Sequence, residues 1–245
     1  MPVEREGWRT PAQASLQLIA AGVVLVTVYE SLGTIIAVTG QPARDQWILA
    51  AERWLFRGSM PPLAPMHLPA WIVDAFSILY VVYFALPVIL LTVLVRRGWL
   101  DEARAAMRIL LVAYYMHYAI YLVVPAVGPI RAAEVAPEVR AQLASAGGAV
   151  TRRVRRAIDM LERTRQDAFP SAHTSIALIV AVLAQRHGVR GRTLFAIAAV
   201  AIMCGTVVLG CHYVVDVIAA VPLAVCSCSL RLKTDCGRRS GTARN

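Results

Sequence analysis

Apolar residues crowd into six stretches of the chain, 15–38, 69–95, 103–124, 172–185, 193–209 and 213–230, while polar residues, glycines and prolines fill the gaps. A helix needs about 20 largely apolar residues to cross the hydrocarbon core of a bilayer. The pattern therefore predicts an all-α, polytopic membrane protein with six transmembrane helices. The fourth stretch is short, and residues 169–171 and 186–187 are needed to lengthen it. Pro170 suits the first turn of that helix, and Pro87 is expected to kink the second. Between the first two spans, Trp47, Arg53, Trp54, Phe56 and Arg57 mark an amphipathic helix lying on the outer membrane surface. The expected organisation is a cytoplasmic segment 1–14, a single membrane domain 15–230 with an outer loop over 125–170, and a basic cytoplasmic tail 231–245.

Composition agrees. Of 245 residues, 58% are hydrophobic and 16% charged, and mean hydropathy is +0.59, values that exclude a disordered chain and an ordinary soluble domain. The net charge of +10 comes almost wholly from arginine, Lys233 being the single lysine, which suggests a GC-rich bacterial genome. These arginines lie between apolar segments, so membrane orientation explains them more simply than nucleic acid, and no nucleic-acid partner is expected. With the N-terminus inside, Arg96, Arg97 and Arg104 share one cytoplasmic loop, Arg186, Arg190 and Arg192 another, and the tail adds five basic residues. The 125–169 loop falls outside although it holds eight arginines, and long loops obey the positive-inside rule weakly. The first apolar run has no A-x-A site and reads as an anchor in a plasma membrane. Five cysteines, mostly in or beside apolar stretches, form neither a disulfide framework nor a zinc motif.

Two segments place histidines where apolar helices begin on one membrane face: Asp167-Ala-Phe-Pro-Ser171-Ala-His173 and Gly210-Cys-His212-Tyr-Val-Val-Asp216. In the second, histidine and carboxylate stand four residues apart, which on a helix puts both on one face. A carboxylate there can hold the imidazole tautomer while the other nitrogen acts as nucleophile. In the first, Ser171 and His173 lie at a helix N-terminus, where free N–H groups favour a phosphate and His173 is placed to protonate a leaving oxygen.

Together these residues resemble the type 2 phosphatidic acid phosphatase (PAP2) superfamily, and the Phe-Pro-Ser-x-His and His-Tyr-x-x-Asp forms look closest to its inositol phosphorylceramide synthase-like branch. The resemblance implies a six-helix membrane bundle that needs neither metal nor other cofactor, has its site at the outer face, and acts on a lipid phosphate or diphosphate. It implies that His212 attacks phosphorus to give a phosphohistidine, that Asp216 orients it, that His173 protonates the leaving group and that Ser171 helps hold the phosphate. Water as acceptor makes a phosphatase, and a lipid or sugar hydroxyl makes a phosphotransferase. This chain departs from the family pattern at Gly205-Thr206, where Ser-Arg is usual, and lacks the usual Lys-x6-Arg-Pro motif. Arg131, after the turn at Pro125–Pro129, and the Arg156/Arg163 pair are the candidate replacements, with Arg131 favoured. A non-catalytic lipid-phosphate carrier or scaffold is the alternative from another class.

Several polar residues have plainer readings. Ser171 is also a good N-cap. His117, on a stripe with Tyr114, Tyr118 and Tyr121, reads as packing with interhelical hydrogen bonds. Glu30 and Asp74, costly if they face lipid, are expected to pair with loop arginines.

Overall fold

In a computed structural model, residues 10–58, 68–161 and 164–229 are described, and they are helical with no strand among them. Three helices are long and apolar enough to cross a membrane: α1 (Pro11–Thr39), α3 (Ala70–Arg96) and α4 (Leu100–Val123). Helices α7 (Ala172–Arg186), α8 (Arg192–Val208) and α9 (Val214–Ser229) coincide with the remaining apolar stretches but have only 15, 17 and 16 residues. At 1.5 Å per residue they span about 23–26 Å, less than the ~30 Å of a bilayer's hydrocarbon core. The sequence expected six full spans; three helices meet that length. Helix α7 begins at Ala172 with Ser171 as its cap, so Pro170 lies outside the first turn that it was expected to occupy.

Local chemistry sets the boundaries. Thr10 caps α1 by accepting from the Gln13 N–H at 3.2 Å, Pro11 opens the helix where its missing N–H costs nothing, and Gly40 closes it in the left-handed region at φ 63°. Helix α3 runs through Pro87, which is buried in its interior.

The bundle is arranged around α7. Ten of its 15 residues are buried, and it packs against α3, α4, α8 and α9. Ala177, Ala181 and Ala184 recur at helical spacing and let neighbouring backbones approach closely, as small residues do inside membrane bundles. The Ser175 hydroxyl lies 3.0 Å from His117 Nε2 of α4 and 2.9 Å from the Ala220 carbonyl of α9, and so ties three helices together. His117 Nδ1 donates to the Ala113 carbonyl at 2.7 Å, Tyr118 donates to the Leu25 carbonyl and Tyr121 to that of Pro170. The stripe on α4 is thus the hydrogen-bonded packing that its spacing suggested. By contrast α1 buries only Ala14, Leu32 and Ile36, packs Leu18, Leu25, Val28 and Tyr29 partly against the bundle, and turns Leu16, Ile19, Val23, Val24 and Val38 outward, where lipid would cover them.

Three short helices cover one end. Helix α2 (Asp45–Leu55) is the expected amphipathic element, with Trp47 and Trp54 exposed and Ile48 and Leu49 buried. Helices α5 (Pro137–Ser145) and α6 (Ala149–Leu161) fold the arginine-rich loop down onto the bundle.

The attachment of α6 corrects an expectation. Asp74 of α3 pairs with no arginine in the described contacts; its Oδ1 accepts from the Gly148 N–H at 2.7 Å, the Thr151 N–H at 2.9 Å and the Thr151 hydroxyl at 2.6 Å. It caps the start of α6, where unpaired N–H groups and the helix dipole attract a carboxylate. Gly148 leaves room for it, since a Cβ there would lie 2.5 Å from Asp74 Oδ2. Replacing Asp74 by alanine strands those donors and is expected to lower the melting temperature. Thermal unfolding of the detergent-purified protein checks this, with Asp74→Asn losing less because its amide oxygen still accepts.

Candidate active site

Three non-helical segments meet beneath α6: 124–131 after α4, 164–171 before α7, and 209–213 between α8 and α9. Backbone bonds lace them together. Ala126 accepts from the Ala168 N–H at 2.9 Å and donates to Gln166 at 3.3 Å, while Ile130 donates to Gly210 at 2.9 Å. Gly128 adopts φ +79°, and a Cβ there would run into the Cys211 carbonyl, so only glycine lets the first segment lie against the third.

This lacing brings the two histidine motifs together. The ring centroids of His173 and His212 are 5.6 Å apart, and both rings line a cavity of about 270 Å³. His212 Nδ1 lies 2.7 Å from the Ala168 carbonyl and 3.5 Å from Asp216 Oδ2. A carbonyl can only accept, so Nδ1 carries the proton and Nε2 is left with its lone pair. The sequence placed the histidine and Asp216 on one helical face. In the structure His212 precedes α9, Asp216 lies in its first turn, and the nearest group to Nδ1 is the Ala168 carbonyl. Asp216 Oδ2 also accepts from the Tyr213 N–H at 2.8 Å, the reach-back bond of a capping box, while Oδ1 is buried without a partner.

His173 is held by stacking. Its ring lies 4.2 Å from that of Tyr80 and 4.1 Å from that of Tyr83, both on α3, with Phe84 edge-on at 6.0 Å. Its Nε2 is buried and makes no hydrogen bond, an arrangement that a ligand oxygen would relieve.

The charged lining comes from the loop and α6. Arg131 lines the cavity and contacts Asp159 at 2.6 Å. Arg155 lines it too, and its guanidinium donates to the carbonyls of Leu143, Ala144 and Ala146 at 2.7–3.1 Å, so no carboxylate holds it in those bonds. Ser171 is fully buried, accepts from the Thr174 N–H at 3.3 Å as the cap of α7, and is not among the cavity-lining residues. Arg163 and the tail after Ser229 lie outside the described residues.

Sequence reasoning missed Arg155, Asp159, Asp167 and Tyr80 as lining residues. Arg155 had a usable signal: counted at helical spacing from Thr151 and Ile158 it falls on the inner face of α6, whereas Arg152, Arg153 and Arg156 fall outward and are exposed. Among the described residues no group of three or more His, Cys, Asp or Glu side chains could hold a metal ion.

Residues 46–230 match the family model described as the PAP2 superfamily. No curated protein and no solved structure matches the chain.

Asp167 accepts from the Tyr29 hydroxyl of α1 at 2.6 Å, and burial pushes its carboxyl above the usual range despite that bond. A carboxyl raised by folding contributes most below its unfolded pKa, and that contribution is lost as pH climbs through the folded value. Asp167→Asn keeps the Tyr29 bond without a charge to desolvate. Its melting temperature relative to wild type is therefore expected to rise as pH climbs above about 4, the unfolded value. A difference independent of pH would show that Asp167 carries no such cost.

Proposed function

Because the chain belongs to the PAP2 superfamily, we propose that it is an integral membrane enzyme that transfers the phosphoryl group of a lipid phosphate or diphosphate through a phosphohistidine. One observation carries the assignment: the Ala168 carbonyl holds the Nδ1 proton of His212, leaving Nε2 with its lone pair on a ring that lines the same cavity as His173.

In this reading His212 Nε2 attacks phosphorus, the P–N bond forms, and the P–O bond to the leaving group breaks. His173 gives its proton to the departing oxygen. The positive charge that grows on the His212 ring is met by the Ala168 carbonyl at Nδ1 and by Asp216 behind it. Arg131 and Arg155 supply positive charge at the phosphoryl oxygens in place of a metal cation, and Arg155 is the stronger candidate because backbone carbonyls hold it ready. In the second half, His173 takes the proton of an incoming hydroxyl, whose oxygen displaces His212 from phosphorus. Water as acceptor makes the enzyme a phosphatase. A lipid or sugar hydroxyl makes it a phosphotransferase of the inositol phosphorylceramide synthase-like kind, which the Phe169-Pro170-Ser171-Ala172-His173 and His212-Tyr213-Val214-Val215-Asp216 motifs support. The arginine distribution supports a site on the outer face of a bacterial plasma membrane.

Purified protein in EDTA, supplied with a panel of lipid phosphates and diphosphates with and without an alcohol acceptor, tests this. Wild type is expected to turn over and to trap acid-labile phosphate on His212, and His212→Ala to lose at least about a thousandfold in rate. Unchanged turnover in folded His212→Ala would overturn the proposal, and binding without turnover in wild type would favour a carrier. For His173→Ala the loss should be about a hundredfold or more with an alkyl leaving group. With a nitrophenyl leaving group, which departs without a proton, the loss should be much smaller.

A further inference from the structure

Helix α2 has no part in the chemistry above, yet its inner face is built around two buried carboxylates. Asp45 and Glu52 lie two turns apart, 0% and 1% exposed, with Ile48 and Leu49 between them. A buried carboxylate is costly unless donors meet it. Here the donors come from two of the segments that form the site and from the first turn of α9.

Glu52 uses both oxygens: Oε1 accepts from the Val214 N–H at 3.0 Å and Oε2 from the Val215 N–H at 2.9 Å. These are the first two N–H groups of α9, between His212 and Asp216. Asp216 takes the N–H just before them, that of Tyr213, so two carboxylates divide the helix start between them. Asp45 grips the neighbouring segments of the site. Its Oδ2 accepts from the Val127 N–H at 2.9 Å, and its Oδ1 accepts from the Gly128 N–H at 2.9 Å and the Tyr213 hydroxyl at 3.2 Å. Val127 lines the cavity, and Tyr213 directly follows His212. Neither carboxylate lines the cavity itself.

The geometry points to α2 as a strap in which Glu52, seconded by Asp45, is a positioning residue for the His212–Asp216 turn. The inference rests on the proposed function in so far as that turn is catalytic. Its physical core is that a carboxylate offers an acceptor to each of two adjacent N–H groups, whereas an amide offers only one. Glutamine at position 52 fits the same space but sets its NH2 against a backbone donor, so the turn must shift. A displacement of about 1 Å in a catalytic constellation can cost a hundredfold in rate.

The test compares full-length wild type, Glu52→Gln and Asp45→Asn in two assays. One is phosphate release from a lipid phosphate. The other is the rate at which diethyl pyrocarbonate modifies His212, read by mass spectrometry with and without orthovanadate as a phosphate-shaped probe. Glu52→Gln is expected to lose about tenfold or more in kcat with KM changed less than about twofold, together with an altered His212 modification rate. An unchanged kcat, or a loss no greater than the fall in folded fraction, overturns the inference. Should Glu52→Gln fail to fold, Asp45→Asn is read against the same two outcomes. If wild type neither turns over nor has His212 shielded by vanadate, the proposed function fails by itself. The modification rates then decide the strap, supported by a change in Glu52→Gln and overturned by identity with wild type.

Discussion

A carbonyl oxygen accepts hydrogen bonds and never donates them, and from that fact the arrangement around His212 follows. With Ala168 O 2.7 Å from Nδ1, the proton of the neutral ring is fixed there, and the lone pair is fixed on Nε2. The carbonyl can be in that place only because the 164–171 segment is bonded to the 124–131 segment, which in turn lies against Cys211 through Gly128. The tautomer of one imidazole is thus written into the mutual packing of three loops. Asp216, 3.5 Å away, adds charge more than direction.

The same economy governs the carboxylates. Asp45, Glu52, Asp74 and Asp216 all accept from backbone N–H groups at 2.7–3.0 Å, and three of them satisfy donors at the start of a helix. Pairing each with an arginine would bury a second large charge, and a buried ion pair repays its desolvation only with near-ideal geometry. Helix starts offer donors that must be satisfied in any case. The consequence for the site is that arginine charge is not consumed by these carboxylates, so Arg155 reaches the cavity on bonds to neutral carbonyls. At Asp45 the desolvation prevails, and burial pushes the carboxyl up even against three hydrogen bonds.

What could be seen in the sequence divides along the same physical line. Features whose partners are other side chains or a lipid phase leave a pattern: the apolar stretches, the amphipathic 45–55 helix, the stripe on α4 and the convergence of His173 and His212 were all legible from spacing. Features whose partners are backbone atoms leave none, because every residue has an N–H and a C=O. Asp74 was therefore assigned an arginine, Ala168 was passed over, and Asp45 and Glu52, on the buried face of α2, were not singled out at all. The bounds of α7, α8 and α9 were legible to within a residue, but their surroundings were not, because hydropathy does not tell an apolar helix wrapped in lipid from one wrapped in other helices.

That last distinction explains where the site lies. Helix α7 is short and mostly buried, whereas α1 and α3 are long and α1 is largely exposed, so the inner helix need not match the bilayer that the outer ones face. Its first turn meets Tyr80 and Tyr83, which come ten and thirteen residues after the start of α3 at Ala70. At 1.5 Å per residue, His173 is recessed about 15–20 Å along α3 from that end. The length of α3 above it is occupied by α6, which brings Arg155, Ile158 and Asp159 down over the histidines. Charge on a phosphoryl group is worth most to a protein where water is scarce and the countercharges are fixed in advance. A short central helix, roofed by a cationic one that is capped from α3, produces such a place.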